Sequence, residues 1–206
     1  MDGGRLGCSA SRALSVECRA SKGGRAEPPE RTAHPLIVDV GTGSGCIVLS
    51  LASERPQARY VAIDASAEAL ELARANAARC GLMERVEFRH SLGCGAFPSG
   101  SVDAIVANLP YIPTATVETL APCIREHEPH LALDGGADGL DIVRSVTHDA
   151  AMVLRSGGWL FLEIGDEQGR AVQDLLENIG LVDVAILPDL SGKTRFARAR
   201  QGGVGA

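Results

Sequence analysis

Leu36-Ile37-Val38-Asp39-Val40-Gly41-Thr42-Gly43-Ser44-Gly45 passes from a short apolar run into a loop with three glycines in five residues. The run has the length of a strand buried on both faces. The glycines permit positive φ and let the backbone approach a ligand closely. Cys46 to Ser53 then reads as a helix, whose first N–H groups point back at that ligand. In open α/β sheets ligands bind at the carboxyl ends of strands, where the winding reverses.

The same texture continues outward from this unit. Tyr60 to Ile63 is a second strand ending at Asp64, and Ser66 caps the helix that follows, which runs to Cys80 with Gly81 beyond it. Val86 to Phe88 and Val102 to Ala107 are the third and fourth strands. The long connection from Ile112 to Asp138 has the length of a functional or disordered loop. Leu140 to Leu154 reads as a helix closed by Gly157-Gly158, and Trp159 to Ile164 as the fifth strand. Val172, Leu175, Leu176 and Ile179 give the next helix one apolar face. Val182 to Leu187 and Arg195 to Ala199 follow with no helix between them, so they pair as an antiparallel hairpin. Five βα units and a terminal hairpin predict an α/β fold. Its seven-stranded, mostly parallel sheet carries helices on both faces.

Bulk properties agree with one globular domain over residues 34–206. Of 206 residues, 45% are apolar and 22% charged. No apolar run reaches the roughly 18 residues that cross a bilayer. The net charge of −6 divides unevenly: residues 1–33 hold six basic and four acidic side chains, leaving 14 and 22 in the rest. An acidic body argues against stable nucleic-acid binding, which needs clustered cations. Residues 1–33 show no apolar period and read as disordered or transit-like. The six cysteines lack C-x-x-C spacing, so neither a zinc site nor a disulfide framework is expected. Cys46 and Cys80 are expected on apolar helix faces.

Asp64 lies 19 residues after Gly45, where a carboxylate can accept from both ribose hydroxyls of a nucleotide-like cofactor. A helix-capping aspartate would look the same, and NAD, FAD and S-adenosylmethionine all suit such a loop. Asn108-Leu109-Pro110-Tyr111 chooses among them. Asn108 offers an acceptor and a donor. Leu109 precedes proline and is held extended, which fixes its carbonyl. Tyr111 supplies a flat ring. Together they cradle a planar NH₂ group, one hydrogen on Asn108 and one on a backbone carbonyl, with the lone pair aimed at a methyl donor.

These motifs resemble those of the HemK-type release factor glutamine methyltransferases. The resemblance covers about residues 35–200. It rests on Val38 to Gly45, Asn108 to Tyr111, Glu128-Pro129, Ala132 to Gly136 with Asp138-Gly139-Leu140, Leu162 to Gly165, and Asp189 to Gly192 with Arg195. It implies a Rossmann-like class I S-adenosylmethionine-dependent methyltransferase fold. It further implies N5-methylation of the glutamine in the Gly-Gly-Gln loop of a peptide chain release factor. In that reading Gly41, Thr42, Gly43, Ser44 and Gly45 hold the methionine part of S-adenosylmethionine, Asp64 the ribose, and Leu92 lies beside the adenine. Asn108 touches cofactor and glutamine, and Leu109, Pro110 and Tyr111 meet the glutamine amide. The protein is then a cytoplasmic monomer, or an organellar one if residues 1–33 are a transit peptide.

The chain departs from the family at Leu109, where two prolines usually follow the Asn, although the carbonyl is retained. Residues 1–33 also contain neither the helical domain nor the Arg-Pro-Glu-Thr-Glu segment that relatives carry ahead of the first strand. Two other readings stand: methylation of an exocyclic base amine, which the same cradle suits, and a non-catalytic cofactor-binding domain. No metal is expected. His127 and His130 read as surface residues, and Asp134, Asp138 and Asp141 as caps. Glu163 either reaches the cleft or satisfies backbone groups.

Overall fold

A computed structural model describes residues 34–122 and 129–203. The sequence readings of residues 1–33 and of His127 and Glu128 lie outside the described residues. The elements are β1 (Leu36–Val40), α1 (Cys46–Glu54), β2 (Arg59–Asp64), α2 (Ala67–Arg79), β3 (Val86–His90), β4 (Val102–Asn108), the short α3 (Thr114–Val117), α4 (Asp141–Val153), β5 (Leu154–Glu163), α5 (Gly169–Asn178), β6 (Leu181–Pro188) and β7 (Thr194–Gln201).

The seven strands form one sheet in the order β3-β2-β1-β4-β5-β7-β6. β1 runs parallel to both neighbours, with Val38 opposite Val61 and Ile105. The winding therefore reverses between β1 and β4, which places the glycine loop and Asn108 side by side. β7 is antiparallel to β5 and β6, as the hairpin reading expects.

Alternation along the buried strands feeds two cores. Val38, Val40, Ile105, Leu160 and Leu162 pack with Val143, Val146 and Ala150 of α4 and Val172 and Leu176 of α5. Ala62 and Tyr60 pack with Val48, Leu49 and Ala52 of α1 and Ala77 of α2. Each fully buried Leu or Ile adds about 1.5–3 kcal/mol over exposure. No helix among the described residues is long and apolar enough to cross a membrane.

Three expectations need correction. The described residues between β3 and β4 hold no helix, so the five expected βα units are four plus a loop crossover; Gly93, Gly95 and Gly100 favour loop there. Gly157-Gly158 does not separate α4 from a strand but lies inside β5. Leu154 already pairs with Val102 and Trp159 with Ala104, so Arg155 to Gly158 bulge out of register. A Cβ on Gly158 would stand 3.1 Å from the Val102 and Asp103 carbonyls. Cys46 and Cys80 are exposed rather than on apolar faces, because α1 turns Val48, Leu49 and Ala52 to the core and α2 turns Leu70, Ala73 and Ala77. Among the described cysteines Cys94 is the buried one, and burial pushes its pKa up to about 12. The described part of the connection after β4 holds α3, a 3₁₀ turn over His130–Ala132 and a parallel bridge between Ile112 and Asp134.

Candidate active site

The glycine loop is held from below. The Gly41 and Thr42 N–H groups both donate to the Ile63 carbonyl at 2.9 Å. Gly41, Gly43 and Gly45 have φ of 71°, 55° and 81°, conformations that L side chains resist. Asp64 ties the loop to α2: one oxygen accepts from the Gly43 N–H and the other from the Ser66 N–H, each at 2.8 Å. The helix cap itself is Ser66, whose hydroxyl accepts from the Ala69 N–H. Asp64 is thus a brace rather than the cap, and its oxygens keep lone pairs for further donors.

Asp39 belongs to this site, and no role was assigned to it from sequence. It is 1% exposed at the end of β1. One oxygen accepts from the Thr42 hydroxyl at 2.7 Å and from the Val48 N–H at 3.2 Å. The other, Oδ1, is buried with no partner. Burial pushes its pKa to about 6, opposed by those two hydrogen bonds and reinforced by the charge of Asp64. The one sequence signal is position: an acid closing an apolar strand just before a glycine loop.

A pH dependence follows. The folded pKa of about 6 exceeds the ordinary 3.8. Asp39 therefore favours the folded state most when protonated, and this is lost as pH rises through 6. Relative to wild type, Asp39→Asn should gain stability between pH 4 and pH 7, by up to about 3 kcal/mol. Urea unfolding at both pH values without ligand measures it; a difference that is flat or falls with pH refutes it.

The Asn108 segment lies directly against the loop. A Cβ on Gly41 would meet Leu109 Cδ2 at 3.2 Å and the Asn108 carbonyl at 3.6 Å. Leu109 is buried, whereas Asn108 is exposed at the carboxyl end of β4, opposite Glu163 of β5. Among the described residues the Asn108 side chain and the Leu109 carbonyl accept no hydrogen bond. The Tyr111 carbonyl accepts from Gln168 Nε2 at 2.8 Å, and Gly135 covers the Pro110 carbonyl.

The Tyr111 ring joins three elements. Its hydroxyl donates to Glu163 Oε1 at 3.4 Å and accepts from the Arg195 guanidinium at 3.3 Å, and Arg195 approaches Asp189 at 3.7 Å. Burial first, then the Glu163 charge, pushes the Tyr111 hydroxyl pKa up; burial likewise raises that of Glu163. Glu163 therefore meets the Asn108 to Tyr111 segment rather than backbone groups. The downstream loop is laced to it. Gly135 N–H donates to the Ile112 carbonyl at 2.9 Å, and Asp134 accepts from the Thr114 hydroxyl and the Gly136 N–H. Asp138 accepts from the Leu140 N–H ahead of α4 and pairs with Arg144. His130 faces Asp134 at 3.8 Å. Leu92, beyond the carboxyl end of β3, is 86% exposed.

A methyltransferase-domain family model matches residues 37–135. The structure is similar to the SAM-dependent O-methyltransferase of Thermotoga maritima, with TM-score 0.61 and 15% identity over 84% of this chain and 62% of that one. It is also similar to the S-adenosylmethionine-dependent methyltransferase SibL, with TM-score 0.59 and 16% identity over 82% of this chain and 51% of that one. The fold is that of the class I S-adenosylmethionine-dependent methyltransferases.

Curated sequences give higher identities. It is 48% identical to the release factor glutamine methyltransferase of Cereibacter sphaeroides over 80% of this chain and 59% of that protein. It is 44% identical to that of Caulobacter vibrioides over 81% and 57%. The chain is similar to release factor glutamine methyltransferases, as its motifs lead one to expect, and it spans a little under three fifths of the length of these two.

Proposed function

We propose that this chain carries the transfer domain of a protein-glutamine N5-methyltransferase, which methylates the Gly-Gly-Gln glutamine of a peptide chain release factor. The observation that carries the reading is the pair of unengaged acceptors at the end of β4. These are the exposed Asn108 side chain and the Leu109 carbonyl, set against a glycine loop. The acidic body suits a protein substrate better than a polyanion. The reading places the protein in the cytoplasm as a monomer, with residues 34–206 as the methyltransferase domain.

The residues present fit the cofactor. S-adenosylmethionine, when bound, supplies an electrophilic methyl group on a sulfonium. The loop Gly41 to Gly45 would admit its methionine part at backbone distance, and the orphaned Asp39 Oδ1 would be satisfied by a cationic group there. Thr42 contributes through loop shape, since its hydroxyl is given to Asp39. Asp64 retains acceptor capacity for the ribose, and Leu92 would flank the adenine.

The glutamine nitrogen is a weak nucleophile because its lone pair is delocalised. Asn108 Oδ1 takes one N–H and the Leu109 carbonyl the other. Both draw density toward nitrogen and orient the lone pair, while Tyr111 packs on the amide plane. The proton leaves late, from the methylated and now acidic nitrogen to solvent, so orientation and fixed dipoles suffice without a strong base.

Incubation with methyl-labelled cofactor tests the reading. Label should enter release factor at the Gly-Gly-Gln glutamine and not RNA or DNA. Label in a base amine would transfer the cradle to nucleic acid. Absence of calorimetric binding at millimolar cofactor would leave a non-catalytic domain.

A further inference from the structure

Gln168, just ahead of α5, is engaged at both ends of its amide. Its Oε1 accepts from the Gly165 N–H at 2.8 Å, which anchors it to the end of β5. Its Nε2 donates to the Tyr111 carbonyl at 2.8 Å and lies 3.4 Å from the carbonyls of Asp138 and Gly139. One side chain thus joins the last residue of the catalytic segment, the loop over it and the neighbouring strand. Space has been cleared for this contact. A Cβ on Gly139 would fall onto the Tyr111 carbonyl and stand 2.7 Å from Gln168 Nε2, and one on Gly165 would stand 3.0 Å from Gln168 Oε1.

Consider what this does to the carbonyls that follow Asn108. The Tyr111 carbonyl is consumed by Gln168, and the Pro110 carbonyl is covered by Gly135 at 2.7 Å from its Cβ position. The Leu109 carbonyl is left to accept from a substrate. Release of the Tyr111 carbonyl would leave the peptide plane after Tyr111 held, among the described residues, by the Ile112 N–H alone, which donates to the Leu133 carbonyl at 3.1 Å, and would loosen the extended segment. A shift of about 1 Å in a reacting group can cost roughly 100-fold in rate.

We propose that Gln168 is a positioning residue for methyl transfer: its amide clamps the Tyr111 carbonyl to the Gly139 loop and to β5, and so aims the Leu109 carbonyl and Asn108 at the substrate nitrogen. This rests on the functional reading above. Among the described residues Gln168 makes no hydrogen bond to the glycine loop or to Asp64, so cofactor affinity should not depend on it.

Two variants separate positioning from packing. Gln168→Met keeps the volume and loses both hydrogen bonds. Gln168→Glu keeps the acceptor for Gly165 but, when ionised, opposes the Tyr111 carbonyl with a second acceptor. With a Gly-Gly-Gln peptide of the release factor, both should lower kcat roughly 10- to 100-fold at pH 8. The KM for peptide and the Kd for cofactor should stay within about twofold of wild type. As pH falls toward 5, the Gln168→Glu carboxyl gains a proton and can donate again, so its activity relative to wild type should recover. The ratio for Gln168→Met should stay flat. Parallel ratios for the two variants, or an unchanged kcat, overturn the proposal.

A second readout needs no turnover. Amide exchange of Ile112, Thr114 and Gly135, which bond across the loop, should quicken in Gln168→Met while β1 and β4 keep their protection. Unchanged exchange overturns the clamp. A wild type that binds cofactor yet methylates nothing overturns the functional reading instead, and the exchange result then decides the clamp alone.

Discussion

Asn108→Ala should reduce kcat by about 10²–10³-fold, equivalent to roughly 3–4 kcal/mol in the barrier, while the Kd for S-adenosylmethionine changes only a few-fold. The asymmetry comes from geometry. The glycine loop proposed to hold the cofactor, Gly41 to Gly45, is braced by Ile63, Asp64 and Asp39, none of which bonds to the Asn108 side chain. That side chain is exposed and engages no described residue, so its removal leaves no buried group unsatisfied and little stability is at stake. What disappears is one of two acceptors for the substrate NH₂, an interaction that strengthens as the nitrogen pyramidalises. Single-turnover transfer to the Gly-Gly-Gln peptide and calorimetry with cofactor measure the two halves. Turnover near that of wild type would sink the cradle mechanism; a parallel collapse of cofactor affinity would make Asn108 chiefly a cofactor ligand.

Local pattern made the strand–glycine loop–helix unit and the hairpin legible, because each rests on residues adjacent in sequence. The periodic face of α5 was legible for the same reason. What escaped was decided by distant pairing. Gly157-Gly158 looks like a helix stop, but β4 captures Leu154 directly and turns the glycines into a bulge. The count of five βα units imposed a regularity on residues 91–101 that their glycines do not support. Cys46 has apolar neighbours, yet helix phase rather than neighbourhood decides exposure. In the site, Asn108 to Tyr111 and the glycine loop stood out as motifs. The links from Tyr111 to Glu163, Arg195 and Gln168 span 52, 84 and 57 residues, and no spacing rule reaches that far. Asp39 lies within the Leu36 to Gly45 stretch, but its burial and orphaned oxygen are tertiary facts.

The second large effect belongs to Gly139→Ala, which should cost about 3 kcal/mol of stability and most of the transfer activity. Two penalties combine at this position. The backbone sits at φ 77°, where a Cβ costs roughly 1–2 kcal/mol. The added methyl is also driven into the Tyr111 carbonyl and against Gln168 Nε2, and overpacking of this kind costs about 1–3 kcal/mol. Neither obstacle yields easily. The carbonyl belongs to a segment fixed by Pro110 and by Gln168, and the amide is anchored at Gly165. The cheapest relaxation lifts the loop, which sacrifices the Gly135 to Ile112 and Thr114 to Gly136 hydrogen bonds and frees the segment that presents Leu109. Gly43→Ala is the internal control for stability. It has positive φ, at 55°, but nothing within 4 Å of its Cβ position, so it pays the conformational cost alone. Urea unfolding of the two variants should differ by about 1–3 kcal/mol. Equal losses would mean that the Gly139 loop is not a close-packed roof on the Asn108 to Tyr111 segment, and Gly139→Ala should then retain its turnover.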